Sequence, residues 1–306
     1  MRNATKSEED TQTSPEQAYL SRCRNAVLHN GSANSLVEKL IVDWRKTLLP
    51  CAPYSYHSSH KIHKKLNLKN LNKLIKDGNL SHLHIFHVGE FGVTMRIARS
   101  PNGPTLYFRV ESFTLVRDVI KFQHRHHGGD HKLFTQPPII VLNQFSFSDK
   151  KAHSEDSMAI QIAGEMLRSM IDVATKENVS HMGKYGRILF FSRVSTGDSL
   201  KDGTNILIEV RHYTVLGRSA SKKTQLIEDL SKGTISSSLL KKISQGGDGS
   251  QCCEDLVRDL DGNRDVLKSA DDESKIQLVE IGPRLTLRLL RIEQGLCGGT
   301  AIWPST

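Results

Sequence analysis

Long apolar runs are missing from this chain. No stretch of its 306 residues approaches the roughly 18 to 20 apolar residues of a membrane-spanning helix. Met1–Pro15 is polar and of mixed charge, unlike the basic-then-apolar pattern of a secretory signal. No membrane partner is therefore expected. Cysteine is scarce too: Cys23, Cys51, Cys252, Cys253 and Cys297 are odd in number, and no Cys-x-x-Cys occurs. That argues against a disulfide framework and a cysteine zinc site, and it fits a reducing compartment. Aromatic residues make up only 6%, so stacking on bases is expected to matter less than contact with backbone and shape. The common catalytic signatures are absent as well. There is no phosphate-binding G-x-x-x-x-G-K-[ST], no G-x-G-x-x-G after a strand and no G-x-S-x-G elbow. Gly246-Gly-Asp-Gly249 has no helix pattern behind it, and Gly295-Leu-Cys-Gly-Gly299 has no histidine nearby. No cofactor and no small-molecule substrate are expected, and an enzyme is the least favoured reading.

Acids are missing where bases gather. Lys plus Arg is 42 against 33 Asp plus Glu, a formal charge of +9, which favours a polyanionic partner. Trp44–Lys76 holds eight Lys or Arg, three His and no acid. Within it lie Lys61 and a predicted helix over Lys64–Lys76. Lys65, Lys69, Lys73 and Lys76 fall on one face of that helix, with Lys64 beside them and Leu68, Leu71, Leu74 and Ile75 opposite. Such a stripe suits a phosphate backbone. Val210–Ile227 is also free of acid and carries Arg211, Arg218, Lys222 and Lys223 among small and hydroxylated residues. Two histidine groups, His82/His84/His87 and His124/His126/His127/His131, lack a cysteine or an H-E-x-x-H neighbour. A metal site is not expected there.

The remaining pattern is α/β. Residues 1–33 read as a flexible polar leader. Ser35 and Glu38 spell a capping box before a helix that ends near Pro50. Strands are predicted over His82–Val88, Phe91–Ala98 and Thr105–Val110, then a helix over Phe113–Phe122. A buried strand over Pro138–Leu142 and a helical stripe from Ala159 to Met170 follow. Strands resume over Arg187–Val194, Asn205–Leu216 and Leu278–Ile292, the last two separated by a polar and acidic insertion over 231–274. One pattern occurs twice. Gly103-Pro-Thr-Leu-Tyr-Phe-Arg-Val110 and Gly282-Pro-Arg-Leu-Thr-Leu-Arg-Leu289 each open a strand with Gly-Pro and place Arg109 or Arg288 opposite an apolar face. This internal repeat implies two similar α/β lobes.

Four segments together resemble the Brix-domain family. They are Leu40-Ile-Val-Asp-Trp-Arg-Lys-Thr-Leu-Leu-Pro50, then Met95–Val110 with Pro137-Pro-Ile-Ile-Val-Leu-Asn143 behind it, Ile208-Glu-Val-Arg-His-Tyr213, and Glu280–Gly295. Within the family the chain is most similar to the Peter Pan branch of large-subunit ribosome assembly factors. It departs from that branch in lacking a Lys-rich tail before Thr306 and a basic N-terminus. The resemblance covers about residues 35–300. It implies a Brix domain of two pseudo-symmetric lobes, each resembling an anticodon-binding domain. These are expected at about 34–180 and 181–300, with 301–306 as a short end. It further implies a non-catalytic role in the nucleolus, binding pre-rRNA together with other assembly factors and ribosomal proteins. Gly217-Arg-Ser-Ala-Ser-Lys-Lys223 occupies the place of a basic family motif. The expected RNA-binding set also takes in Arg284 of the second repeat. The alternative is a protein scaffold whose RNA contacts are incidental.

Overall fold

The computed structural model describes residues 24–30, 34–52, 68–90, 92–122, 131–145, 155–171, 186–194, 206–216 and 277–304. In chain order the elements are β1 (Asn25–Asn30), α1 (Ser35–Thr47), α2 (Leu68–Gly78), β2 (His82–Gly89), β3 (Gly92–Arg99), β4 (Thr105–Thr114) and α3 (Val116–Lys121). A 3-10 turn at His131–Phe134 leads to β5 (Ile139–Asn143), α4 (Glu155–Ser169), β6 (Gly186–Val194), β7 (Leu207–Leu216), β8 (Gln277–Glu280), β9 (Arg284–Glu293) and β10 (Ala301–Trp303). The strands form one sheet in the order β1-β2-β3-β4-β9-β7-β6-β5, with β8 beside β7 and β10 beside β9.

The Gly-Pro repeat is the seam of this sheet. β4 and β9 are antiparallel neighbours, with Phe108 opposite Leu289, Arg109 opposite Arg288 and Val110 opposite Leu287. The same order of strands leads away from the seam on both sides. β4-β3-β2 is antiparallel and closes on the parallel strand β1, while β9-β7-β6 is antiparallel and closes on the parallel strand β5. Gly103 and Gly282 both have positive φ, 92° and 69°, a conformation that costs glycine nothing. A Cβ on Gly103 would lie 2.3 Å from the Gln294 carbonyl oxygen, just past β9, and one on Gly282 would lie 3.0 Å from Val119 Cγ2 in α3, just past β4. Each repeat's turn thus packs against the segment that follows the other repeat's strand.

Strand pairing moves two expected boundaries. Within the expected leader, Asn25–Asn30 forms edge strand β1 with Ala26, Val27 and Leu28 buried. Three apolar residues between asparagines are too few to show a period. β5 and α4 belong to the second half by pairing and packing, so the halves of the sheet divide after α3 and not near residue 180. Smaller differences have local causes. Asn34, not Ser35, caps α1, its Oδ1 accepting from the Val37 amide at 2.9 Å. β4 runs on to Thr114 and shortens α3. Gly282-Pro283 splits the last predicted strand into β8 and β9.

Two apolar layers cover the sheet. Val37, Leu40, Ile41 and Trp44 of α1, at helical spacing, join α4 residues such as Ala163 and Leu167 on one face, over Phe108, Leu287 and Leu289. On the other face α2 sets Leu71 and Ile75 against Ala26, Leu28, Leu83 and Ile85.

A buried arginine joins the two halves. Arg187 of β6 donates to the carbonyls of Thr47 (3.1 Å), Leu49 and Gln136 (2.7 Å), and to His212 Nε2 (3.3 Å). Its guanidinium also lies 4.8 Å from the centre of the Phe134 ring. Thr47 closes α1, so the cation sits at the negative end of that helix. Because His212 accepts at Nε2, its proton is on Nδ1, where it donates to the Gly282 carbonyl at 2.9 Å. The first half has a counterpart. Trp44 donates to His84 Nδ1 at 3.3 Å, His84 Nε2 donates to Asn25 Oδ1 at 3.1 Å, and the Asn25 amide reaches the Met170 carbonyl at 2.9 Å.

Two predictions follow from this core. Arg187→Met keeps volume but strands several buried acceptors, so urea unfolding should show a loss of about 3 kcal/mol or more; a loss under about 1 kcal/mol would remove the joint from the account. The second concerns pH. Burial holds His82 at about 4, and His84 and His212 at about 3, below the ordinary 6.5. The unfolded chain therefore takes up these protons near 6.5 and the folded chain does not. Stability is full above about 6.5 and falls as pH drops toward 4, each ring contributing about 1.4 kcal/mol per pH unit. Asp43, raised by burial, works the other way, one group against three. The urea midpoint should decline below pH 6.5, and a flat midpoint down to pH 4.5 would contradict the buried neutral rings.

Candidate nucleic-acid interface

α2 carries the only basic helix face that the sequence singled out. Lys69, Lys73 and Lys76 are exposed, while Leu71 and Ile75 are buried on the opposite side. At 1.5 Å per residue the three ammonium groups start from points about 6 Å and about 10 Å along one line. The first turn holds no acid. Among the described residues no carboxylate lies within ion-pair distance of Lys73 or Lys76. Lys61, Lys64 and Lys65 lie outside the described residues, as do Arg218, Lys222 and Lys223.

The arginines of the seam share this side of the sheet. Ile85, which α2 covers, is paired with Arg96, Arg96 with Tyr107, and Tyr107 with Arg291. Laterally paired residues share a face, and two residues further along β4 the same face shows Arg109 opposite Arg288. Arg284 and Arg211 continue it. Of the residues on this face the sequence named Arg109, Arg211, Arg284 and Arg288, and the strand pairing adds Arg96, Tyr107, Arg291 and Glu293. Alternation along β3 and β9 was the available signal. Tyr107 lies between two guanidinium groups, 5.1 Å from Arg96 and 4.3 Å from Arg291 to the ring centre. Its hydroxyl donates to Glu293 at 2.5 Å. Burial and that carboxylate push its pKa up to about 12, so it stays a donor.

Each of the four expected arginines meets a glutamate. Glu111 receives Arg288 at 2.6 Å and Arg109 at 3.9 Å. Glu280 takes Arg284 in a two-pronged contact at 2.8 and 2.7 Å, and it also lies 3.7 Å from Arg211, which reaches Glu209 at 3.6 Å. Glu280 bonding raises the Arg284 pKa. The two groups differ in what they can release. Arg109 is 51% exposed and Arg288 36%, and an ion pair that wet is worth about 0–1 kcal/mol, so a phosphate can replace its carboxylate. Arg211 is only 15% exposed and Glu280 12%, which ties that end of the row to the sheet. Six arginines (Arg96, Arg109, Arg211, Arg284, Arg288, Arg291) against four glutamates (Glu111, Glu209, Glu280, Glu293) leave this face positive.

The strand histidines hold the core together. His82 contacts the hydroxyls of Ser81 and Ser169, both at 3.1 Å, and His84 belongs to the Trp44–Asn25 chain. Among the described residues no group of three His, Cys, Asp or Glu is placed to hold a metal ion. No helix among them is long and apolar enough to cross a membrane.

A single mixed sheet of two pseudo-equivalent halves, opened by paired Gly-Pro turns and basic on one side, defines an α/β class with a duplicated plan. The Brix domain profile matches residues 31–291, and the chain belongs to the Brix domain family. Among relatives, Protein Peter pan of Drosophila melanogaster is 27% identical over 289 residues, covering 90% of this chain and 57% of its own length. Suppressor of SWI4 1 homolog of Homo sapiens is 24% identical, covering 94% of this chain and 59% of its own length. Ribosome biogenesis protein SSF2 of Saccharomyces cerevisiae is 24% identical, covering 88% and 70%. The chain therefore spans somewhat over half the length of the fly and human proteins.

Proposed function

We propose that this chain is a non-catalytic, rRNA-binding assembly factor of the large ribosomal subunit, acting in the nucleolus on pre-rRNA beside other assembly factors and ribosomal proteins. The observation that carries this reading is the exposed row Lys69–Lys73–Lys76 on a helix clamped to the sheet, in a family with members named for ribosome biogenesis. The row supplies point charges at helical spacing, which suits a phosphate backbone. Arg109 and Arg288 extend it across the sheet, with Arg284 and Arg211 as outer, more committed members. Lys61, Lys64, Lys65, Arg218, Lys222 and Lys223 join the set on sequence grounds.

One observation favours a second reading, a protein scaffold. The glutamate-held arginines give the sheet face a mixed charge that suits a protein surface as well as RNA. Co-purification of assembly proteins that survives nuclease treatment in full would support it.

The RNA reading has a direct test. Lys69→Ala/Lys73→Ala/Lys76→Ala should leave folding intact, weaken binding to a large-subunit pre-rRNA fragment, and flatten the slope of log affinity against log salt by about 2 to 3, at about 0.7–0.9 per phosphate contact. An unchanged slope would take α2 out of the interface.

A further inference from the structure

We infer that Arg109 and Arg288 form a single seat for an RNA phosphate, and that Glu111 is its resident counter-ion, whose carboxylate the phosphate must displace; the inference rests on the RNA-binding reading above. Two strand bulges build the seat. The register of β4 against β9 shifts between Tyr107 and Phe108 and again between Val110 and Ser112. Leu290 is the extra residue at the first shift and Glu111 at the second. Both stand eight places after the glycine that opens their repeat, Gly282 or Gly103. In β4 two residues, Glu111 and Ser112, separate Val110 from Phe113, which both pack on the main apolar cluster. In β9 Leu290 and Arg291 separate Leu289 from Ile292 in the same way. Simple alternation would allow one residue in each gap. A bulge re-aims a side chain, and this one sets Glu111 against the Arg109–Arg288 pair. The duplication makes the two bulge positions equivalent, yet one holds a carboxylate and the other an exposed leucine.

The contact is open to exchange. One oxygen, Glu111 Oε1, lies between the two arginines, 2.6 Å from Arg288 Nε and 3.9 Å from Arg109 Nε. It takes Arg288 through Nε, one prong where Glu280 takes Arg284 in two. All three side chains stay partly exposed. A phosphate presents several acceptor oxygens and can fill a guanidinium fork in two prongs. The next pair along the same face, Ser112 and Thr286, adds two hydroxyls 3.0 Å apart. Such hydroxyls position a nucleic-acid backbone without reading its sequence. Until RNA arrives, Glu111 offsets the repulsion between Arg109 and Arg288. Binding at this seat therefore exchanges one anion for another. At Lys73 and Lys76 it does not, since among the described residues no carboxylate is paired with them.

The full chain should be titrated with a large-subunit pre-rRNA fragment at fixed salt. Glu111→Gln should strengthen binding by about fivefold, the effect of one unit charge at about 4 Å in water. Glu111→Leu, which copies the other repeat, should strengthen it as well. Glu38→Gln is the control. It removes the same charge from α1, on the other side of the sheet, and should change affinity by less than about twofold. Arg109→Ala/Arg288→Ala should weaken binding, and adding Glu111→Gln to that variant should gain less than about twofold, because no seat is left to clear. A urea midpoint for each variant separates affinity from folding. If Glu111→Gln leaves affinity as it was while the α2 lysine variant loses it, this inference is overturned and the RNA reading stands; Glu111 then only fastens β4 to β9. An equal gain for Glu38→Gln and Glu111→Gln overturns it too, since net charge alone accounts for both. Unchanged RNA affinity with altered co-purification of assembly proteins also overturns it and gives the seat to an acidic protein segment. If the wild type does not bind the fragment, the RNA reading itself has failed and takes this inference with it.

Discussion

A buried cation organises this molecule. Taking a guanidinium out of water is costly unless its donors are met, and the two terminal nitrogens of Arg187 meet acceptors from four places in the chain: the end of α1, the residue two beyond it, the turn before β5 and His212 of β7. Apolar burial alone is non-directional. It would press α1 onto the sheet without fixing where along the sheet the helix ends. The Arg187 hydrogen bonds fix that point, because the carbonyls at a helix C-terminus can be satisfied by a cation only at one place. Through His212 the same network reaches the Gly282 carbonyl and so the turn that opens β9. One side chain thus sets the first half's main helix against the second half's central strands.

The seam is where that alignment has consequences. β4 and β9 lie side by side because each begins at a Gly-Pro turn seated on the other's trailing segment. The register then fixes which charges face each other. Arg109 lies directly opposite Arg288, an arrangement of like charges that would cost stability by itself. Glu111 answers it by receiving both. A slip of β9 by one residue would turn Arg288 into the apolar layer and leave Arg109 outside it, so the repeat, the register and the basic face are parts of a single constraint.

Much of this plan was legible in the residues. The recurring Gly-Pro-x-Leu-x-apolar-Arg-apolar pattern announced the duplication, and alternation along β4 and β9 placed Arg109 and Arg288 away from the apolar layer. The lysine face of α2 was legible because helix period and absence of acid coincide over one short stretch. Three things were hidden. β1 was, because its partners are distant and its apolar core is only Ala26-Val27-Leu28. The cross-strand pairing of Glu111 with Arg288 and of Glu280 with Arg211 was, because only the sheet register brings them together. Arg187 was also hidden: an arginine at the start of an apolar strand reads as an edge residue, and only the tertiary fold brings carbonyls to it.

The contrast between lysine and arginine on this face follows from their chemistry. Arginine's planar fork matches a carboxylate in two prongs, as Arg284 does with Glu280, and so it serves where a charge must be held in the sheet. Lysine is a strongly hydrated point charge on a flexible stem, as on α2, where among the described residues no carboxylate pairs with Lys73 or Lys76. A folded RNA presents phosphates at spacings that vary from one segment to another. A row of mobile ammonium groups can follow them, while a fixed array of paired arginines can accept them only where they fit. On the proposed RNA reading, mobile charge would gather RNA, and the carboxylate-held arginines nearer the seam would limit which geometry stays, since each phosphate seated there must first displace a glutamate.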